Sequence, residues 1–286
     1  TKKKSKNIEV HSLGGGITEA KVNGDLIPVG APDWIREPVI EGIGTFKGFD
    51  QNQAELKQLI ADWYNKSYGL DVDGSSEVAL TIGAAFGVDA AARICAGPGD
   101  EVLIMDPDYV TYLPQVASTG ARTISVPLKE ENGEWSFDIE ELEKRANPRT
   151  SILYMSNASN PSGFLYTEED LKSIAILAEK YDFMVFHDQV AEEFVLDKES
   201  KLISMASIPG MKDRTIIASS FSKMYQCHGF RTGWVVANKH FCDFTLNYRG
   251  WSNDGVVKPA VDASLAILRE ENKATRKKWI SKKLET

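Results

Sequence analysis

The sequence predicts a three-layer α/β/α fold on a mostly parallel sheet, and three observations carry that expectation. From about residue 50 onward, amphipathic helical stretches alternate with short apolar runs bounded by Gly, Pro, Asn or Asp, the pattern of strands joined by crossover helices. The apolar runs are a few residues long and rich in Val, Ile and Phe, as strands buried on both faces are. At 286 residues, with 42% hydrophobic and 26% charged, the chain can bury a sizeable core, which excludes disordered and low-complexity classes.

Residues 1–45 stand apart: they are rich in Gly and Pro (Gly14-Gly15-Gly16, Pro28, Gly30, Pro32), show little periodicity and read as an extended arm. A helix is expected over 53–66 and another over 84–96, the second ended by Gly97-Pro98-Gly99-Asp100, a run unsuited to continuing it. The strand 101–105 follows, and 123–126 and 151–155 are strand-like. Thr167-Glu168-Glu169-Asp170 is a capping-box start for a helix running to Tyr181, with Leu171, Ile174, Ala178 and Tyr181 as its buried stripe. Three more buried strands are expected over 183–186, 215–218 and 234–237. From Pro259 to about Lys283 the pattern is one long helix, apolar early (Val261, Leu265, Ile267, Leu268) and basic late (Arg276, Lys277, Lys278).

Thirty-three Lys+Arg against 41 Asp+Glu give a formal net charge of −8, which argues against bulk binding to nucleic acid or an anionic membrane. The basic cluster Lys2-Lys3-Lys4-Ser5-Lys6 reads as a solvated tail. Cys95, Cys227 and Cys242 form no Cys-x-x-Cys pair, so a reducing compartment is expected. The longest apolar stretch, Val78 to Val88, is too short to span a membrane. The sequence starts at Thr1 without an apolar signal segment, so a cytoplasmic location is expected. Four scattered histidines and three scattered cysteines lack ligand spacing, so no metal is expected.

The richest segment is Ser219-Ser220-Phe221-Ser222-Lys223, followed eight residues after the lysine by Arg231 in Gly229-Phe230-Arg231-Thr232-Gly233. A lysine beside hydroxyl residues, with an arginine close behind, suits a cofactor carrying both an aldehyde and a phosphate. The amine forms a Schiff base, while the hydroxyls and the guanidinium fork bind phosphate oxygens. Alone, Ser-x-Lys more often marks a solvated loop lysine. Two further motifs lie upstream: Asn157-Ala158-Ser159-Asn160-Pro161-Ser162-Gly163 follows one expected strand, and Phe186-His187-Asp188 ends another. In a parallel sheet the carboxyl ends of strands face one crevice, so Asn160, Asp188 and Lys223 are expected to meet there.

Together with Thr81-Ile82-Gly83-Ala84-Ala85 and Pro107-Asp108-Tyr109, these motifs resemble the pyridoxal-phosphate enzymes of fold type I, within them the class I/II aminotransferase family. The resemblance runs from about Ile27 to the final helix. It implies an N-terminal arm or part of a small domain over 1–45, a cofactor-binding large domain over 46–255, and a linking helix over 256–286. That helix would lead towards a C-terminal small domain that the sequence does not contain.

The resemblance also implies roles. Lys223 would hold pyridoxal 5'-phosphate as an internal aldimine and, once displaced by substrate, shuttle the proton between the α-carbon and the cofactor. Asp188 would pair with the pyridine nitrogen and keep it protonated; Asn160 would donate to the ring's phenolate oxygen, and Tyr109 would stack on the ring face. The phosphate would lie where Gly83, Ala84 and Ala85 open a helix, with Ser220, Ser222 and Arg231 as side-chain partners. His187, on the opposite strand face from Asp188, reads as packed, whereas His228 lies in the loop beside the lysine.

The sequence departs from the family pattern at three places. Ala191 stands where a tyrosine usually binds the ring phenolate, and Phe46 where a tyrosine usually reaches the neighbouring subunit's phosphate. Trp251-Ser252-Asn253 resembles the partner-subunit segment that touches the phosphate, so Ser252 would compensate across a homodimer interface, with Arg249 nearby. No counterpart of the substrate-clamping arginine domain can be assigned in 272–286; a piece of a longer protein and a shortened relative both fit. The expected function is an amino-acid aminotransferase passing an amino group from an amino acid to a 2-oxo acid. The alternatives are a lyase or cyclase of the same family and, ranked lower, a non-catalytic cofactor-binding sensory module.

Overall fold

The computed structural model describes residues 19–22, 25–28, 32–44, 52–193, 195 and 200–284. Phe46, the Gly14-Gly15-Gly16 run and the Lys2 to Lys6 cluster lie outside the described residues.

The N-terminal region is not simply an extended arm. Strands β1 (Glu19–Val22) and β2 (Asp25–Pro28) form an antiparallel hairpin, and a 3-10 turn at Asp33–Ile35 leads into helix α1 (Arg36–Gly44). Helix α2 (Gln53–Tyr68) buries Leu56, Ile60, Ala61 and Tyr64 and stops at Gly69, whose left-handed backbone lets its N–H reach the Asn65 carbonyl.

The core of the fold then alternates strand and helix: β3 (Val78–Ile82), α3 (Ala84–Cys95), β4 (Glu101–Asp106), α4 (Tyr112–Ala117) and β5 (Arg122–Pro127). A small hairpin of β6 (Lys129–Glu131) and β7 (Glu134–Ser136) and the short α5 (Ile139–Glu143) precede β8 (Thr150–Ser156). Helix α6 (Glu168–Tyr181) carries the expected capping box: Thr167 Oγ1 accepts from the Asp170 N–H at 3.1 Å and Asp170 Oδ2 from the Thr167 N–H at 2.9 Å. Its buried stripe is Leu171, Ile174, Leu177 and Ala178, with Tyr181 only half-buried. Strands β9 (Met184–Asp188) and β10 (Thr215–Ser220), the short α7 (Phe221–Met224), β11 (Thr232–Val236) and α8 (Lys239–Ser252) complete the layer structure.

Seven strands form the central sheet in the order β3-β11-β10-β9-β8-β4-β5. Six run in one direction and β11 runs antiparallel to both neighbours, so the sheet is mostly parallel, as expected. Alternate residues serve opposite faces. Leu80, Ile217 and Trp234 join the core under α2, and Leu103, Leu153 and Val185 the core under α6. On the other face, Ile104, Tyr154, Phe186, Ala218 and Val235 pack with Val88 and Ala91 of α3 and Phe241 and Cys242 of α8.

The single long C-terminal helix expected from the sequence is two helices, α9 (Lys258–Leu268) and α10 (Lys273–Leu284), separated by a 3-10 turn at Glu270–Asn272. The break has a local cause. Asn272 Nδ2 donates to the Ala266 carbonyl at 2.7 Å, and Arg276 Nη1 to the Ile267 and Leu268 carbonyls at 3.2 Å, taking acceptors that a continuing helix would use.

Candidate active site

Strand direction assembles the site. β3, β4, β8, β9 and β10 all end at one edge of the sheet: Asp188 is the last residue of β9, Lys223 lies in α7 just after β10, and the segments that follow β3, β4 and β8 carry Gly83, Tyr109 and Asn160. Because β11 runs the other way, its first residue lies at that same edge, which places Arg231, just before Thr232, there too. Register fixes the neighbours: Ser156 pairs with Asp188, Asp188 with Ala218, and Ser220 with Gly233.

Asp188 is buried at the centre, while Lys223, Asn160, Arg231 and Tyr109 are exposed around it. Its Oδ2 accepts from the Tyr112 hydroxyl at 2.9 Å and its Oδ1 from the Val190 N–H at 3.0 Å. Burial pushes the Asp188 carboxyl above its ordinary range, opposed by the Val190 and Tyr112 donors and by the charge of Lys223. Tyr112 was not singled out from the sequence; its one signal is an aromatic placed three residues after Tyr109, opening a helix.

Asp108 ties two of these loops together. It accepts from the Ser156 N–H at 2.9 Å, from the Tyr109 N–H at 2.7 Å and from the Ser156 hydroxyl, which itself accepts from the Asn160 N–H at 3.1 Å. Burial pushes Asp108 up to about 7, against the pull of those donors. Tyr109 stands edge-on to Tyr112, ring centroids 5.6 Å apart at 83°.

Helix α3 opens at Gly83, whose φ of 73° and ψ of 166° suit a residue without a side chain. The amides of Ala84 and Ala85 fall in the first turn, where a helix offers them no carbonyl. The Arg231 guanidinium packs directly over Gly83, its Nη1 donating to the His228 carbonyl at 3.0 Å. Ser220 Oγ accepts from the Ser222 N–H at 3.3 Å, with the Ser222 side chain buried beside it. Gly83, Ala84, Ala85, Ser220, Ser222 and Arg231 therefore line one part of the edge, and Tyr109, Asn160 and Asp188 another, with Lys223 in α7 just after β10.

Three further residues singled out from the sequence bond backbone groups. Ser252 ends α8 and its hydroxyl donates to the Tyr248 carbonyl of the same helix at 2.8 Å. Arg249 turns inward, its Nη1 donating to the Leu80 carbonyl at 2.8 Å. His187 is buried on the far face, accepts from the Met205 N–H at 3.1 Å through Nδ1 and is pushed down to about 3 by burial, in keeping with a packed histidine. Among the described residues no group of three or more His, Cys, Asp or Glu stands ready to hold a metal, and no helix is long and apolar enough to cross a membrane.

Comparison with known proteins identifies the family and the fold. The family model of class I and II aminotransferases matches residues 32–282. The chain is similar to an aromatic-amino-acid aminotransferase of Thermococcus litoralis, 32% identical over 76% of this chain and 55% of the relative. It is also similar to a probable N-succinyldiaminopimelate aminotransferase of Mycobacterium tuberculosis, 33% identical over 78% of this chain and 58% of the relative. The chain thus spans somewhat more than half the length of these relatives. Among solved structures, N-succinyldiaminopimelate aminotransferase from Mycobacterium tuberculosis superposes with a TM-score of 0.83 at 27% identity, over 90% of this chain and 66% of that one. An aromatic aminotransferase from Pyrococcus horikoshii gives 0.82 at 28% identity, over 94% and 70%.

Proposed function

Because the chain belongs to the class I and II aminotransferase family, we propose that it binds pyridoxal 5'-phosphate and moves an amino group from an amino acid to a 2-oxo acid. The observation that carries this reading is the buried Asp188 carboxylate within the field of Lys223, at the same sheet edge as the Arg231 guanidinium seated on the Gly83 opening of α3.

The residues present fit that cofactor. A Cβ on Gly83 would fill the space that Arg231 now takes, leaving a bare helix start beside a cation, which suits a phosphate. Asp188 is a buried carboxylate that, among the described residues, accepts one donor on each oxygen, which leaves acceptor capacity for a ring N–H. The bound cofactor supplies an aldehyde for condensation with amines and a ring that draws electrons from the α-carbon.

This chain's own residues would do the rest. Ser220, Ser222, Arg231 and the amides of Gly83, Ala84 and Ala85 bind the phosphate; Tyr109 covers one ring face and Asn160 donates to the ring hydroxyl oxygen. Asp188 holds a proton at the ring nitrogen. Lys223 Nζ, on α7 just after β10, takes the proton from the substrate α-carbon and returns it. Residues 46–255 serve as the cofactor-binding unit, with 1–45 as arm and 256–286 leading towards a further domain. A homodimer, with Ser252 reaching the partner's site, completes the reading.

The test uses the purified chain with pyridoxal phosphate. A visible band that borohydride removes and Lys223→Ala abolishes is expected, and amino donors should yield oxo acid stoichiometrically. Ammonia or a rearranged amino acid formed without an acceptor would instead point to the lyase or cyclase chemistry that Ala191 leaves open. A chain that stays colourless overturns the reading.

A further inference from the structure

One side chain outside the expected set touches two residues within it. Tyr112 opens α4, is fully buried, and lies 76 residues from Asp188 in sequence, yet its hydroxyl donates to Asp188 Oδ2 at 2.9 Å. Its ring stands edge-on to Tyr109 and packs against Tyr154 and Phe186, with centroids 5.3 and 6.0 Å away. We infer that Tyr112 is a positioning residue for the cofactor ring, its hydroxyl holding the Asp188 carboxylate ionised and aimed, and its ring setting the tilt of Tyr109. This deepens the proposed function and rests on it.

With the Val190 N–H on Oδ1 and the Tyr112 hydroxyl on Oδ2, the carboxylate plane is pinned from both ends, and each oxygen keeps a further lone pair for another donor. A carboxyl this buried resists ionisation; the Tyr112 hydroxyl is among the groups that pull its pKa back down. Tyr112 stays a donor throughout the working range, because burial and the Asp188 charge push its own ionisation well above the ordinary tyrosine value. The three rings around it deny it another rotamer.

A buried tyrosine that merely satisfies its own hydroxyl in the core would leave the cofactor's titration unmoved, and Tyr112→Phe separates the two cases. The variant keeps the ring and its packing and removes one donor. In the cofactor-free chain, the Asp188 carboxyl resonance followed by carbon NMR should titrate at higher pH than in the unaltered chain. In the loaded chain, pyridoxal phosphate should bind about tenfold or more weakly, the magnitude expected for a lost bond to a charged group. The pH midpoint of the visible band should move upward by about one unit, because a more basic Asp188 draws the proton from the ring nitrogen and weakens its electron withdrawal. If the Phe variant binds pyridoxal phosphate with unchanged affinity and an unchanged midpoint, the role of Tyr112 is overturned while the functional reading stands. If the unaltered chain binds no pyridoxal phosphate, both fall together.

Discussion

The guanidinium of Arg231 occupies the space that a side chain on Gly83 would need. A Cβ built there would stand 2.3 Å from Nη2 and 2.9 Å from Cζ, and both residues have positive φ, 73° and 54°. Strain of this kind persists where the surroundings over-determine it, commonly at ligand sites. Gly83→Ala is expected to expel the guanidinium, lower stability by about 1–3 kcal/mol and weaken pyridoxal phosphate binding at least tenfold, as loss of a bidentate anion clamp does. Arg231→Lys keeps the charge but not the fork, so it should weaken binding while leaving the urea midpoint nearly in place. Titration of the visible band alongside urea denaturation checks both; a Gly83→Ala chain that binds like the unaltered one contradicts the clamp.

Gly233 supports the same corner from behind. A Cβ on it would meet backbone, at 2.6 Å from the Gly83 carbonyl carbon and 2.7 Å from the Ala84 nitrogen. Neither atom can move without shifting the start of α3. Gly233→Ala should therefore cost about 2–3 kcal/mol in urea denaturation, and an unchanged midpoint would show that α3 adjusts freely.

A buried carboxyl beside β10 makes stability depend on pH. Glu192 accepts from the Tyr68 hydroxyl at 3.1 Å and from Ser219 Oγ at 3.4 Å. Burial, and then the neighbouring Glu193, push it from 4.5 up to about 8 against those donors. The folded chain thus holds a proton that the unfolded chain has released between those values. Its contribution to stability is full below about 4.5 and is lost as pH rises through about 8. Glu192→Gln, which cannot ionise, should be more stable than the unaltered chain at pH 9 by at least about 1 kcal/mol and nearly equal to it at pH 5. Parallel urea curves at the two pH values that show no such difference would sink this prediction.

How much of this was legible in the sequence follows from where each signal resides. Asp188, Asn160 and Lys223 could be read because each closes or follows a short apolar run, and a parallel sheet turns that sequence fact into a shared edge. Arg231 reaches the same edge only because β11 is antiparallel, a pairing that no local pattern announces. Helix α1 escaped notice because Ile35 and Val39 face the core while Ile40 and Ile43 are exposed, which blurs the helical period, and Pro38, Gly42 and Gly44 lower its propensity. The break between α9 and α10 is made by the Asn272 and Arg276 side chains, not by a Gly or Pro. Tyr112 was hidden for a different reason. Its hydroxyl matters only once α4, which follows β4, is known to lie over the end of β9, two places away in the sheet.

Ser156 and Asp108 offer the most discriminating test of the site's internal wiring. The Ser156 hydroxyl donates to Asp108 and accepts from the Asn160 N–H, so one oxygen joins the loop that carries Tyr109 to the loop that carries Asn160. Asp108, raised to about 7 chiefly by burial, is neutral at pH 5 and largely ionised at pH 9. A hydroxyl donor stabilises the ionised form more than the neutral one, so Ser156→Ala should push Asp108 higher still. Its stability cost should grow with pH, from about 1 kcal/mol at pH 5 to about 2 kcal/mol or more at pH 9. Asp108→Asn removes the titrating group, so the second substitution added to it should cost the same at both values. A double-mutant cycle run by urea denaturation at pH 5 and pH 9 measures that coupling directly. A coupling energy independent of pH would show that the Ser156 hydroxyl braces the two loops without acting on the charge of Asp108.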